Sequence, residues 1–413
     1  MAIKFLSLSK KFKTVRPKGF KFPNGLSYGS GNNTNSGVAT EGKSSGGLLE
    51  LNEVSGPTSN SALTFNSSGV FRPAFTGDVE ILVVGAGGAG GPGSDRGGGG
   101  GGGAGGVRYV SGQPVIMDTS YTVTVGGGGA VSPPSYHVAV VSSWSGSESN
   151  VAPVGVYGSG GGGGGKAGAP NPFPAYIAGG PSPISNGSPG ASGGGGSSPG
   201  YSSSETTPAG SANTTGGQLG FPGTSGAALA FYNEPAYGNG GGGGGASQAG
   251  QARANVNSSS PGGDGVQYSI SGTSIYYGGG GGGGGSYVAN NAPDRYQYYI
   301  GFGGEGGGGE GGMCFSTDHL PQPARLIAGT AGGPQPFSAN QQLAVDLTVG
   351  VAGTINRGGG GGGGGALQPN AGGTQPPILV GSRSYALAGA GGSGTVIFRF
   401  NTFQSTSNTF SIN

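Results

Sequence analysis

The run ILVVGAGGAGG at residues 81–91 decides how the chain is read. Four apolar residues pass into Gly85, Gly87 and Gly90, the G-x-G-x-x-G spacing of a dinucleotide-binding turn after a strand. Such a turn needs a helix behind its glycines, because the helix N-terminus holds the pyrophosphate. Here PGSDRGGGGGGG (92–103) follows, and that many glycines do not form a helix. The acidic residue expected about 20 positions further on is missing as well. The glycines of 85–91 are therefore the start of something larger, entered from a strand.

That larger pattern fills the chain. Glycine tracts lie at 85–93, 97–106, 160–165, 240–245, 278–285, 303–312, 358–365 and 389–394, with shorter runs at 126–129 and 193–196. Gly 105 and Pro 28 make up about a third of the 413 residues. Collagen is excluded because the glycines come in blocks, not at every third position. Charged residues are only 8%, less than composition-driven disorder carries. Glycine loses more backbone entropy on ordering than any other residue, so an ordered chain needs something regular to offset that loss.

Polyproline II geometry is the regular option left for polyglycine. It rises about 3.1 Å per residue, so an eight-residue tract is about 25 Å long. Its outward N–H and C=O groups need partners. Glycine alone lets neighbouring backbones approach closely enough to supply them, helped by Cα–H···O contacts. The expected fold is mainly β plus polyglycine II helices, with almost no α-helix. It is a glycine-rich helix bundle or sandwich with short β-strands at one end, long irregular loops at the other and little apolar interior.

Counting tracts up and down from the strand DVEILVV (78–84) sorts the connections. Segments 107–159, 246–277 and 313–357 fall at the strand end, as does the exit after Gly394. They hold VRYV (107–110), YTVTV (121–125), VQYSI (266–270), TSIYY (273–277), LAVDLTV (343–349) and TVIFRF (395–400), with the β-branched and aromatic content of strands. Segments 166–239, 286–302 and 366–388 fall at the opposite end and are rich in Pro, Ser, Asn and Tyr. The domain reading is a basic arm or attachment segment at 1–60, an entry strand at 61–84, the glycine bundle with its loops at 85–394, and a closing strand and tail at 395–413.

Charge is unevenly placed. Lys4, Lys10, Lys11, Lys13, Arg16, Lys18 and Lys21 lie in the first 21 residues, with no acid before Glu41. Beyond them, 11 basic residues (18 less 7) face 16 acidic ones. The arm is either a solvated tail or an anchor, onto an acidic partner surface or onto nucleic acid. Of these the acidic protein surface is the reading kept, with virion attachment as its function, and no nucleic-acid partner is expected. The single Cys314 permits neither an intramolecular disulfide nor a cysteine-rich metal site. No apolar stretch approaches the ~20 residues of a membrane span, and MAIKFLSLSKKFK lacks the apolar core of a secretory signal.

Catalytic patterns are thin, and the chain is read as no enzyme, with no cofactor and no metal. Asp318-His319 near Ser316 suggests a triad, but adjacent residues on a strand point to opposite faces and there is no nucleophile elbow. His137 stands apart. Glu305 and Glu310 are solvated tract residues rather than an acid and base pair. Lys166 follows a glycine run without the Ser or Thr of a phosphate-binding loop.

LTFNSSGVFRPAFTGDVEILVVGAGGAGG (63–91), YTVTVGGGG (121–129), GGDGVQYSISGTSIYYGGGGGGGG (262–285) and GGSGTVIFRF (391–400) together resemble the glycine-rich modules of bacteriophage tail-fibre and other virion proteins. The resemblance covers about residues 60–400. The chain is also similar to the adhesins at the tips of T-even-like phage tail fibres, which carry polyglycine II helices whose loops contact the host receptor. The short basic arm departs from that pattern, which leaves the mounting point open between fibre tip, tail and capsid.

The resemblance implies a virion-surface adhesin, released by host lysis, whose loops bind a host glycan or outer-membrane protein. The candidate receptor-binding residues are Tyr176, Tyr201, Tyr232, Tyr237, Tyr287, Asp294, Arg295, Tyr296, Tyr298, Tyr299 and Tyr385. Tyrosine gives large, rigid contact area with a polar handle. The bland alternative is that these rings cap the bundle. A second functional reading is a capsid- or tail-decorating protein, homotrimeric in one version, docked on other virion proteins by its arm. A cellular matrix protein is a third, opposed by the missing secretion signal.

Overall fold

The computed structural model describes residues 45–51, 60–73, 75–94, 97–131, 144–166, 186–198, 206–231, 234–252, 260–285, 300–313, 315–316, 349–368, 379–380, 383–384 and 386–401. All belong to one compact unit, Ala39–Asn413. Among them there is no α-helix, and no helix is long and apolar enough to cross a membrane.

The main element is an eight-stranded antiparallel sheet. Its strands are β1 (Ser45–Leu51), β2 (Asn60–Phe71), β3 (Gly77–Val84), β4 (Val107–Val115), β5 (Tyr121–Thr124), β6 (Ser149–Ala152), β7 (Val156–Gly158) and β17 (Thr395–Asn401). Their order is β4-β3-β17-β2-β5-β6-β7, with β1 also paired to β2. Register is fixed by pairs such as Phe398 with Leu63 and Ile81. The end strand β7 comes back against β3 and β4. Arg108 of β4 sits over the Tyr157 ring of β7, 5.6 Å from its centroid. The sheet is thus nearly closed and barrel-like.

Both faces of its central strands are buried, which explains the unbroken apolar run ILVV. Val79, Ile81 and Val83 join Phe65, Phe71, Val123, Val396 and Phe398 in one cluster. Leu82, Val84 and Ile397 point the other way, onto Val107, Ala246, Ile270 and Tyr277. The Phe71 and Phe398 rings stack at 4.2 Å, and Phe65 meets Phe398 edge-on at 5.8 Å. Each such side chain contributes about 1.5–3 kcal/mol by leaving water.

Smaller sheets complete the strands found among the described residues. β8 (Thr206–Thr207), β9 (Gly226–Phe231) and β10 (Glu234–Asn239) form one, in order β10-β9-β8. The hairpin β11 (Val266–Tyr268) and β12 (Ile275–Tyr277) packs below the main sheet. β13 (Phe315–Ser316) pairs with β14 (Leu367–Gln368), and β15 (Leu379–Val380) with β16 (Arg383–Ser384).

Strands β3, β5 and β7 run on into glycine segments, β4 and β17 emerge from them, and β6 follows the run WSGSE (144–148). These segments satisfy one another's backbone groups. Each donates its N–H groups to three neighbours in rotation. Gly88, Gly91 and Gly85 give theirs to Gly103, Gly100 and Gly106; Ala86 and Ala89 to Ser147 and Trp144; Gly87, Gly90 and Gly93 to Gly392, Gly389 and Ala386. The run 97–106 lies at the centre, bonded to six segments: 85–93, 159–165, 192–198, 238–244, 278–285 and 358–365. A Cβ on Gly102 would fall on the Gly88 carbonyl oxygen, and one on Gly99 on that of Gly91. Close backbone approach therefore excludes a side chain at these glycines, while Ala86, Ala89 and Ala104 are places where a buried methyl fits.

The expected fold class needs correction. Regular structure here is mostly antiparallel strand gathered into the nearly closed sheet, and polyglycine II helices are not shown. The strands are also not short: β2 spans 12 residues and β4 spans 9. The interior is apolar where Phe65, Phe398 and Ile81 are buried, against the expectation of little apolar core. The sequence reading gave the glycine tracts the organising part, whereas two-faced burial of β3 and β17 organises the regular framework.

Tract directions correct the end-to-end count as well. Gly301 donates to Gly283, but Gly311 donates to Gly301, so the tract 303–312 doubles back. The reversal is at Glu305–Gly307, with Gly306 and Gly307 at φ 100° and 98°. Gly308–Gly312 then runs away from the sheet, and Gly350–Thr354 returns toward it through Val351 to Glu310 and Thr354 to Gly307. Segment 313–357 therefore starts at the far end, not at the sheet end as counted. Of LAVDLTV, residues 343–348 lie outside the described residues. Segment 166–239 is not confined to the far end either: 188–191 runs toward the sheet beside 160–163, 192–198 runs back beside 98–104, and Leu219 bonds Val107 at the sheet end. Segment 246–277 likewise leaves the sheet end, Gly250 donating to Pro222, and returns through 260–265. These unforeseen passages pair off, so 358–365 and 389–394 keep their expected directions. A reversal made of glycine inside a glycine tract has no signature of its own.

Candidate functional site

The register of the glycine segments defines two ends. At the sheet end, Gly85, Gly106, Ser159, Gly278 and Gly358 are level, joined by bonds such as Gly106 N–H to Ser159 and Gly105 N–H to Gly358. At the far end, Gly93 bridges Ala386, Gly285 donates to Gly312, Ala366 donates to Gly285, and Ser198 donates to Gly98. Lys166, which closes the segment 160–165, belongs to this end, and burial lowers its pKa. From this level the chain enters the segments after Lys166, Ser198, Gly285 and Gln368, and the tip of the β9–β10 hairpin.

Of the candidate receptor-binding residues, Tyr237 is in β10, its backbone paired with Leu229 of β9. Tyr176, Tyr201, Tyr232, Tyr287, Asp294, Arg295, Tyr296, Tyr298, Tyr299 and Tyr385 lie outside the described residues. So do Lys4, Lys10, Lys11, Lys13, Arg16, Lys18 and Lys21, and His137, Asp318 and His319. Glu305 is exposed at the reversal, while Glu310 lies beyond it beside Val351, so the two occupy different levels. Among the described residues no group of three or more His, Cys, Asp or Glu is placed to hold a metal.

Two features at the sheet end escaped the sequence reading. The first is a cleft of about 290 Å³ lined by Ser274, Ile275, Tyr276, Glu305, Gly306, Gly307 and Arg357. Three separate segments build it: β12, the Glu305–Gly307 reversal and the Thr354–Arg357 turn. Each is pinned by hydrogen bonds. The Glu305 N–H donates to Asp264 Oδ1 at 2.9 Å, Thr354 N–H to the Gly307 carbonyl at 2.8 Å, and Gly278 N–H to the Arg357 carbonyl at 2.8 Å. Asn356 holds φ at 60°, rare for a non-glycine residue, with its N–H on Ser393 Oγ at 2.9 Å. The signal available was INRGG (355–359), an Asn-Gly-rich break ahead of a tract.

The second is a polar cluster on the sheet. Tyr109 Oη donates to Glu80 Oε2 at 2.7 Å, and Arg399 forms an ion pair with the same carboxylate. The Tyr109 ring stacks on Tyr268 of β11 at 5.3 Å. Burial first, then the bond to Glu80, raise the Tyr109 pKa; burial raises that of Tyr268. This cluster joins the hairpin to the sheet.

No curated protein and no solved structure matches the chain. A family model described as a glycine-rich domain matches residues 64–401, from within β2 to the end of β17. That span takes in the whole strand-to-glycine-to-strand unit traced above, and the chain belongs to this glycine-rich domain family.

Proposed function

We propose that the chain is a non-enzymatic attachment protein, a bacteriophage virion-surface adhesin of the tail-fibre or tail-tip kind. In this reading the segments carried at the far end bind a host-cell receptor, a surface glycan or an outer-membrane protein. The basic arm meets other virion proteins.

One observation carries the reading. The strands that frame the family unit gather at one end, and the long Tyr-bearing segments are entered from the other. Between them the backbone-bonded interior holds a fixed separation with few side chains to rearrange. Recognition surfaces are commonly loops on a rigid scaffold of this kind.

The test is saturable binding of labelled protein to candidate host cells. Full-length protein is compared with one lacking residues 1–21 and one with 286–299 replaced by Gly and Ser. The replacement stops at 299 because Gly301 and Phe302 bond the glycine interior. Binding that survives arm removal and is lost with 286–299 supports the adhesin. Arm-dependent attachment to particles, with no cell binding by any version, replaces it with a decorating component.

A further inference from the structure

We propose that the sheet-end cleft binds one neutral sugar unit, independently of any recognition at the far end. The lining has two chemical halves. Tyr276 on β12, a residue 36% exposed, supplies an aromatic wall, while Ile275 beside it packs on the core. Glu305, Arg357 and Ser274 supply the polar edge. A pyranose has the same division, with C–H groups on one face and hydroxyls around its rim. The carboxylate accepts from hydroxyls, the guanidinium donates to them, and the serine does either.

One carboxylate and one guanidinium leave the lining without net charge, so no single sign of ligand charge is matched by the lining as a whole. Among the described residues Glu305 and Arg357 form no ion pair with each other. The cleft is at the small end of ligand pockets, which start near ~300 Å³. That size suits a single unit or a chain end.

The walls are set before any ligand arrives. The reversal and the Asn356 turn hold positive φ values, and each is tied back by the bonds described above. Glycine takes such values without strain at Gly306 and Gly307, and only Asn356 is held in a region uncommon for a residue with a side chain. Binding therefore does not spend free energy on ordering these loops.

The experiment uses the full-length protein and ligand-observed saturation-transfer NMR with neutral methyl hexopyranosides. Acetate and tetramethylammonium serve as charged probes. At least one neutral glycoside is expected to show transfer, with affinity reduced tenfold or more by Tyr276→Ala and by Glu305→Gln. Both side chains are exposed, and an unchanged melting temperature checks that each variant folds. Transfer is also expected to persist when 286–299 is replaced, which separates this site from the proposed adhesin. The proposal is overturned if no neutral glycoside shows transfer, if transfer survives both substitutions, or if only a charged probe binds.

Discussion

At the residue scale, the interior turns on the missing Cβ. Gly102 donates to Gly361 and accepts from Gly281, each at 2.8 Å, while the Gly88 carbonyl fills the place of a side chain. Gly102→Ala must move that backbone or unfold it. The expected loss exceeds about 4 kcal/mol, the range reserved for strain or broken buried networks. Gly127 is the matched control, because a Cβ there meets nothing within 4 Å. Gly127→Ala is expected to be neutral or to add about 0.4–1 kcal/mol by restricting the unfolded chain. Thermal unfolding of the two variants side by side checks this; equal melting temperatures would refute the crowding argument. The abundance of glycine was legible from the sequence, but which glycines are crowded was not. Gly102 and Gly127 look alike until their neighbours are known.

At the scale of elements, strand positions were the most legible feature. VRYV, YTVTV, VQYSI, TSIYY and TVIFRF fall in β4, β5, β11, β12 and β17. Their β-branched and aromatic residues fit a pleated, buried surface. The strand order was not legible, because β17 enters between β3 and β2 after a separation of more than 300 residues. The cleft was hidden for the same reason. Tyr276 read as a strand residue and Glu305 as a tract residue, and only the Glu305–Gly307 reversal brings them together. The attachment of β11 to β4 yields a pH prediction. Tyr109 has a raised pKa, so the folded state keeps its phenolic proton longer than the unfolded state, where the pKa is about 10. Stability is then full below pH ~10 and falls as pH rises through the folded value. Tyr109→Phe removes this fall at the cost of the Glu80 bond. Melting temperatures at pH 8 and 11 are expected to differ less in the variant than in the native protein.

At the scale of the molecule, two kinds of interior share one chain. The sheet buries hydrocarbon, whereas the glycine segments bury peptide groups bonded to peptide groups. The two change heat capacity in opposite senses on unfolding: exposed apolar area raises it and exposed polar area lowers it. The heat-capacity increment per residue is expected below the ~12–15 cal/mol/K of ordinary globular proteins. Scanning calorimetry measures it, and a value within that range would mean that hydrocarbon, not peptide, dominates the buried surface.

The rotation of partners along each glycine segment also governs how such a chain can change in length. Gly85, Gly88 and Gly91 face one neighbour, Ala86 and Ala89 a second, Gly87, Gly90 and Gly93 a third. Adding one residue inside a segment sends every later donor to the wrong neighbour, whereas adding three restores each to its own. The interior thus keeps a triplet reading frame written in backbone.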